Sequence, residues 1–134
     1  MAALLSIVHG QTELLAQKVS RLEASALKGR GVIELDSTTF EEVMAAPRNY
    51  TMVVLFTAIA PEFQCVPCKN FDPEYRMVAA GWSKLLNRSQ LFFGVIDFKL
   101  GQEVFQKFSM NSAPSVLFFP LGSLENDRYD FGKR

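Results

Sequence analysis

A chain of 134 residues, 49% of them hydrophobic and with 14 acidic residues balancing 14 basic ones, suits one globular domain with its own core. Zero formal net charge excludes bulk electrostatic attraction to nucleic acid or an acidic membrane surface. No apolar run reaches the roughly 20 residues of a membrane span, and the opening Met1 to Val8 lacks the basic flank and cleavage site of a signal peptide, so it reads as helix.

From Gln11 to Leu27, apolar Leu14, Leu15, Val19, Leu22 and Ala26 recur at helical spacing, with Thr12 as N-cap and Gly29 to Gly31 as the stop. Val32 to Leu35 reads as a short strand. Asp36, Ser37 or Thr38 can cap a helix around Phe40 to Ala45, which Pro47 terminates. Tyr50 to Thr57 is rich in aromatic and β-branched residues without alternation, the pattern of a strand buried on both faces. A helix is expected from the cysteines to Leu86, a second buried strand over Leu91 to Phe98, and a short helix over Gln102 to Phe108 with Val104, Phe105 and Phe108 on one face. Ser115 to Phe119 is a third core strand and Arg128 to Phe131 a short edge strand. Strands alternating with helices give an α/β fold with a largely parallel central sheet. Residues 1–30 read as a helical extension, and residues 31–134 as the domain proper.

The chain holds two cysteines, in Cys65-Val66-Pro67-Cys68. A disulfide closing so short a loop restrains the unfolded chain very little, so the pair reads as chemistry rather than as a staple. A structural zinc usually takes four Cys or His ligands, and His9 is the sole further candidate; neither a metal nor another cofactor is expected. Cys65 follows a buried strand and opens a helix, where the macrodipole and free N–H groups favour thiolate, so it is the expected exposed nucleophile. Cys68, one turn inside, is the expected buried resolving thiol. Pro67 suits the first helical turn, where its missing donor costs nothing.

With the cysteines so placed, the chain resembles the thioredoxin superfamily. Pro73 lies eight residues after Cys65, where that family kinks its active-site helix. Val95 to Asp97 looks like the end of its third strand, and Ser112 to Val116 like its cis-proline loop. A narrower resemblance rests on Pro47 to Ala58, Pro61, Gln64, Cys65, Cys68, Glu74-Tyr75, Trp82, Leu91 to Phe93, Asp97, Val104 to Gln106 and Met110 to Pro114. These are similar to the lumenal domain of the oxidoreductase subunits of the oligosaccharyltransferase complex. That family comprises the yeast third and sixth subunits and their animal tumour-suppressor-candidate and magnesium-transporter-named relatives.

The resemblance implies a thioredoxin-like fold: a central mixed sheet flanked by helices, here with an extra N-terminal helix. It implies a domain of the endoplasmic reticulum lumen, tethered through membrane spans outside this chain and partnered by other subunits of the complex. Its activity would be thiol–disulfide exchange, forming transient mixed disulfides with cysteine-containing nascent polypeptides and so assisting N-glycosylation. Two departures from thioredoxin stand out. The strand before the cysteines carries no acid, which predicts slow resolution by Cys68, and Ile59 to Gln64 lengthens the approach to Cys65. The chain also stops at Arg134 without the fold's final helix, as a truncated lumenal piece would.

The expected peptide groove is formed by Phe63, Val66, Pro67, Met110 and the Ala113–Pro114 edge. Its apolar walls predict broad selectivity, with main-chain pairing supplying orientation. Asn87-Arg88-Ser89 and Asn49-Tyr50-Thr51 are glycosylation sequons, with Asn87 in an expected loop and Asn49 at the start of a strand. Two other functions compete: a freestanding thioredoxin-like reductase or isomerase, and a peptide-binding module whose cysteines are incidental.

Overall fold

The structure, a computed structural model, describes residues 14–85 and 90–121 and the backbone of 127–129. Five strands form one sheet in the order β1-β3-β2-β4-β5: β1 (Val32–Leu35), β2 (Thr51–Thr57), β3 (Leu91–Asp97), β4 (Ser115–Phe119) and β5 (Asp127–Tyr129). β1, β3 and β2 run parallel, while β4 is antiparallel to both β2 and β5. Among the described residues, four helices flank it: α1 (Leu15–Lys28), α2 (Ser37–Met44), α3 (Val66–Trp82) and α4 (Phe98–Lys107). The expected mixed sheet is therefore present, and β2, buried from Met52 to Thr57, is its centre.

Alternation along the strands sorts side chains onto two faces. Met52, Val54, Phe56, Phe92, Ile96, Leu117 and Phe119 meet Leu22 of α1, Phe40, Val43 and Met44 of α2, and Val104 and Phe105 of α4. Val53, Leu55, Val95 and Val116 meet Tyr75 and Ala79 of α3. Helix α1 thus packs into the same core as the sheet, through Leu22 with Val19 and Ala26 beside it.

Several boundaries differ from expectation for local reasons. α2 starts at Ser37, because Asp36 accepts from Thr39 N while the Thr39 hydroxyl accepts from Asp36 N, a closed capping box. α4 starts at Phe98, four residues before the expected Gln102; Asp97 caps it, and a non-helical Gly101 joins the first turn to the rest. α3 ends at Trp82, short of Leu86, with Ser83 as its C-cap. Lys18, on the core side of α1, is buried, and its ammonium donates to Ala45 O at 2.6 Å and Pro47 O at 3.1 Å. Pairing with two carbonyls makes such burial tolerable. At the α1–β1 turn, Gly31 has φ 103°, and a Cβ there would run into the Ala79 carbonyl of α3, so this crossing requires glycine. Met1 to Val8, His9, Thr12, Leu86, Asn87 and Phe131 lie outside the described residues.

Candidate functional site

The site gathers at one end of the sheet. β2 and β3 finish there, at Thr57 and Asp97, and antiparallel β4 begins there, at Ser115. Cys65 is the N-cap of α3, and the Cys68 N–H donates to Cys65 Sγ at 3.1 Å. Cys65 and Cys68 are joined as a disulfide, with their Cα atoms 5.2 Å apart. Cys65 is partly exposed, whereas Cys68 is sealed at 0% exposure. In the reduced pair the same N–H would stabilise a Cys65 thiolate, aided by the helix N-terminus.

Ala113–Pro114 is a cis bond, the geometry expected of that loop, and the Ala113 carbonyl oxygen lies 3.7 Å from Cys65 Sγ. Ala46–Pro47 is a second cis bond, which the sequence reading did not foresee. Of the expected groove residues, Met110, Ala113 and Pro114 are partly buried, while Val66 and Pro67 are exposed beside Cys65. Met110 and Ala113 line a groove of about 350 Å³ together with Ala58, Phe98, Phe105, Asn111 and Ser112. Phe63, Val66, Pro67 and Pro114 are not among the groups lining it.

The sequence reading missed Ala58, Phe98 and Phe105 as lining groups. The signal was positional: Ala58 and Phe98 directly follow strands β2 and β3, and so share the cysteine end of the sheet. The added segment before Cys65 is also fastened in a way that spacing did not show. It forms a 3₁₀ turn, Pro61–Phe63, and Gln64 follows it with φ 49°. Ile59 N–H donates to Asp97 Oδ1 at 2.6 Å, the Phe63 ring packs edge-on to Phe98 at 5.4 Å, and Glu62 pairs with Lys99 at 3.3 Å. The hydrogen bond from Lys99 holds the Glu62 carboxyl below its ordinary range. Asn49 is exposed just before β2.

A thioredoxin-like fold with a helix-capping cysteine pair beside a cis-proline loop defines the class. Among solved structures, the chain is similar to thioredoxin f from spinach chloroplast, with a TM-score of 0.61 at 17% identity, covering 81% of this chain and 80% of that one. It is also similar to the first thioredoxin domain of mouse protein disulfide-isomerase A4, with a TM-score of 0.59 at 23% identity, covering 75% of this chain and 65% of that one.

A profile described as OST3 / OST6 family, transporter family, matches residues 20–134, and the chain belongs to that family. It is 43% identical over 111 residues to the dolichyl-diphosphooligosaccharide–protein glycosyltransferase subunit MAGT1 of Gallus gallus, covering 80% of this chain and 33% of the relative. It is 32% identical to subunit 3 of the same enzyme from Saccharomyces cerevisiae, covering 78% of this chain and 34% of the relative. The chain therefore spans about a third of the length of these curated relatives. Among the described residues, no helix is long and apolar enough to cross a membrane.

Proposed function

We propose that this domain is a catch-and-release thiol–disulfide module of an oligosaccharyltransferase subunit in the endoplasmic reticulum lumen. Its substrates are extended, cysteine-containing segments of nascent polypeptides, and its neighbours are other subunits of the complex. Anchoring to the membrane is assigned to sequence beyond this domain.

The carrying observation is the asymmetry of the pair: Cys65 is open to solvent beside the Ala113 carbonyl, and Cys68 is sealed beneath it. In capture, a substrate thiolate attacks Cys65 Sγ, the Cys65–Cys68 bond breaks, and Cys68 leaves as thiolate. In release, Cys68 attacks Cys65 Sγ, the disulfide re-forms and the substrate leaves as thiolate. The cycle balances without an outside oxidant or reductant. Apolar groups dominate the groove beside Cys65, which suits weak side-chain discrimination with main-chain pairing along the Ala113–Pro114 edge. Val66 and Pro67, exposed next to Cys65 in the chain, and Phe63 are assigned to the same peptide-binding surface.

The test is trapping. Cys68→Ser, presented with a library of mixed-disulfide peptides, should accumulate adducts at Cys65 with many sequences, enriched in those with apolar neighbours of the cysteine. Cys65→Ser should accumulate none. Capture of one sequence only, or adducts at Cys68 alone, would contradict the reading.

A further inference from the structure

Two buried side-chain oxygens lack a hydrogen-bond partner among the described residues: Thr57 Oγ1 and Asp72 Oδ1. Leaving buried polar atoms unpaired costs stability, so their place in the fold calls for a chemical reason. Thr57 closes β2 at the cysteine end of the sheet, and Asp72 lies one helical turn beyond Cys68 on α3. Asp72 follows Cys68 by four residues on α3, which makes their side chains neighbours on the helix surface, about 5–6 Å apart at Cβ. Thr57 ends β2, and alternation from Val53 and Leu55 turns it toward α3.

Tyr75, about two turns beyond Cys68, donates to Val53 O at 3.0 Å and Gly94 O at 2.7 Å and so fixes the helix height. Two turns of helix (about 10 Å) and four residues of strand (about 13 Å) bring Cys68 and Thr57 to within about one strand residue of the same level. Asp72 Oδ2 is held by Arg76 Nε at 2.9 Å, and the Arg76 guanidinium continues to Glu34 Oε1 at 2.8 Å. One carboxylate oxygen is thus clamped, and the other is left buried. Meanwhile β2 from Met52 to Phe56 offers no acid of its own.

We propose that Asp72 is the proton acceptor and donor for Cys68, acting with Thr57 through a bridging water, and that it sets how long a mixed disulfide persists. This rests on the exchange reading given above. In release, the Cys68 S–H proton passes to the Asp72 carboxylate, Cys68 Sγ bonds Cys65 Sγ, and the Cys65–substrate bond breaks with its electron pair leaving on the substrate sulfur. In capture, the proton returns from Asp72 to the departing Cys68 thiolate. A buried water with three polar partners is an ordinary element of protein interiors. The charged and titratable groups on the elements around Asp72 are Lys69, Tyr75 and Arg76 on α3, Glu34 on β1, Asp97 at the end of β3, and Cys68 itself.

Reduced protein mixed with the chromogenic disulfide dithiobis(nitrobenzoate) isolates the step. The first thionitrobenzoate leaves as Cys65 bonds the reagent, and the second leaves as Cys68 displaces it. Asp72→Asn should leave the first release unchanged and slow the second at least about tenfold at pH 7. The parent's second release should be flat from about pH 6 to 8, whereas that of Asp72→Asn should climb toward the ordinary thiol pKa near 8.5. Asp72→Glu, which keeps a carboxylate, should restore the flat profile. Thr57→Val should give an intermediate slowing and keeps the proposal open to test if Asp72→Asn fails to fold. Second releases within about twofold of the parent in both variants, with the parent's pH profile, would overturn the relay. Absence of the first release from the parent would instead overturn the exchange reading.

Discussion

One face of the sheet buries rings against rings, while the other buries polar atoms under a single helix. On the first, Phe40, Phe56, Phe105, Phe108 and Phe119 meet edge to face at centroid separations of 5.1–6.2 Å. On the second, α3 lies over a smaller apolar patch and encloses the Tyr75 hydroxyl, Thr57, one oxygen of Asp72 and Cys68. The ring face carries stability through area and interlocking shape. The α3 face gives up some of that area to buried polar groups. The ring layer and the buried cysteine thereby fall to different sides of one sheet, with Phe105 of the ring layer also lining the groove, and β2 contributes residues to both sides.

The sharpest way to break this division is mutation on the ring face. Phe56 is fully buried and touches Phe40, Phe105 and Phe108, so Phe56→Ala should cost about 3–5 kcal/mol in urea unfolding. A loss below about 1 kcal/mol would show that the ring layer is not what holds the fold.

On the α3 face, Tyr75→Phe should cost about 1–2 kcal/mol, because the one hydroxyl hydrogen shared between two carbonyls is lost while both carbonyls stay in the sheet. This variant also changes the alkaline limb. Burial pushes the Tyr75 hydroxyl far above its usual value. Tyr75 then stays neutral when folded but ionises near pH 10 when unfolded, so its contribution is complete below about pH 10 and is lost as pH rises further. Unfolding midpoints measured between about pH 8 and 11 should therefore fall less steeply in Tyr75→Phe than in the parent.

The smallest effect is expected at the rim. Glu34→Gln removes a surface pair with Arg76 whose side chains are 63% and 38% exposed, and should change stability by no more than about 0.5 kcal/mol. A larger loss would mean that the Glu34–Arg76–Asp72 chain supports the fold itself rather than only orienting Asp72.

The ring face and the cysteine motif were legible because they are written in local pattern. The apolar run of β2 and the i, i+4 spacing of Val104 and Phe108 specify buried elements, and Cys65 to Cys68 states its chemistry at fixed spacing. Other features were not legible, because they join residues far apart in the chain. Lys18 reads as a surface residue until Ala45 O and Pro47 O are brought to it from 27 and 29 residues away. Asp97 reads as a strand end until Ile59 N–H is found on its carboxylate 38 residues away. Asp72 looks like a helix-surface acid, and only Arg76 clamping one oxygen while the other is buried sets it apart. The early start of α4 was lost because Gly101 interrupts the helical pattern just where the first turn joins the rest.

The central claim is that Cys65 is the reactive end of the pair and Cys68 the sealed one. Alkylation rate against pH, measured on Cys68→Ser and on Cys65→Ser, tests it most directly. The account predicts that Cys65 reacts faster at pH 7, with a midpoint below the free-thiol value of about 8.5, and that Cys68 reacts slowly throughout. Faster alkylation of Cys68 at neutral pH would contradict it.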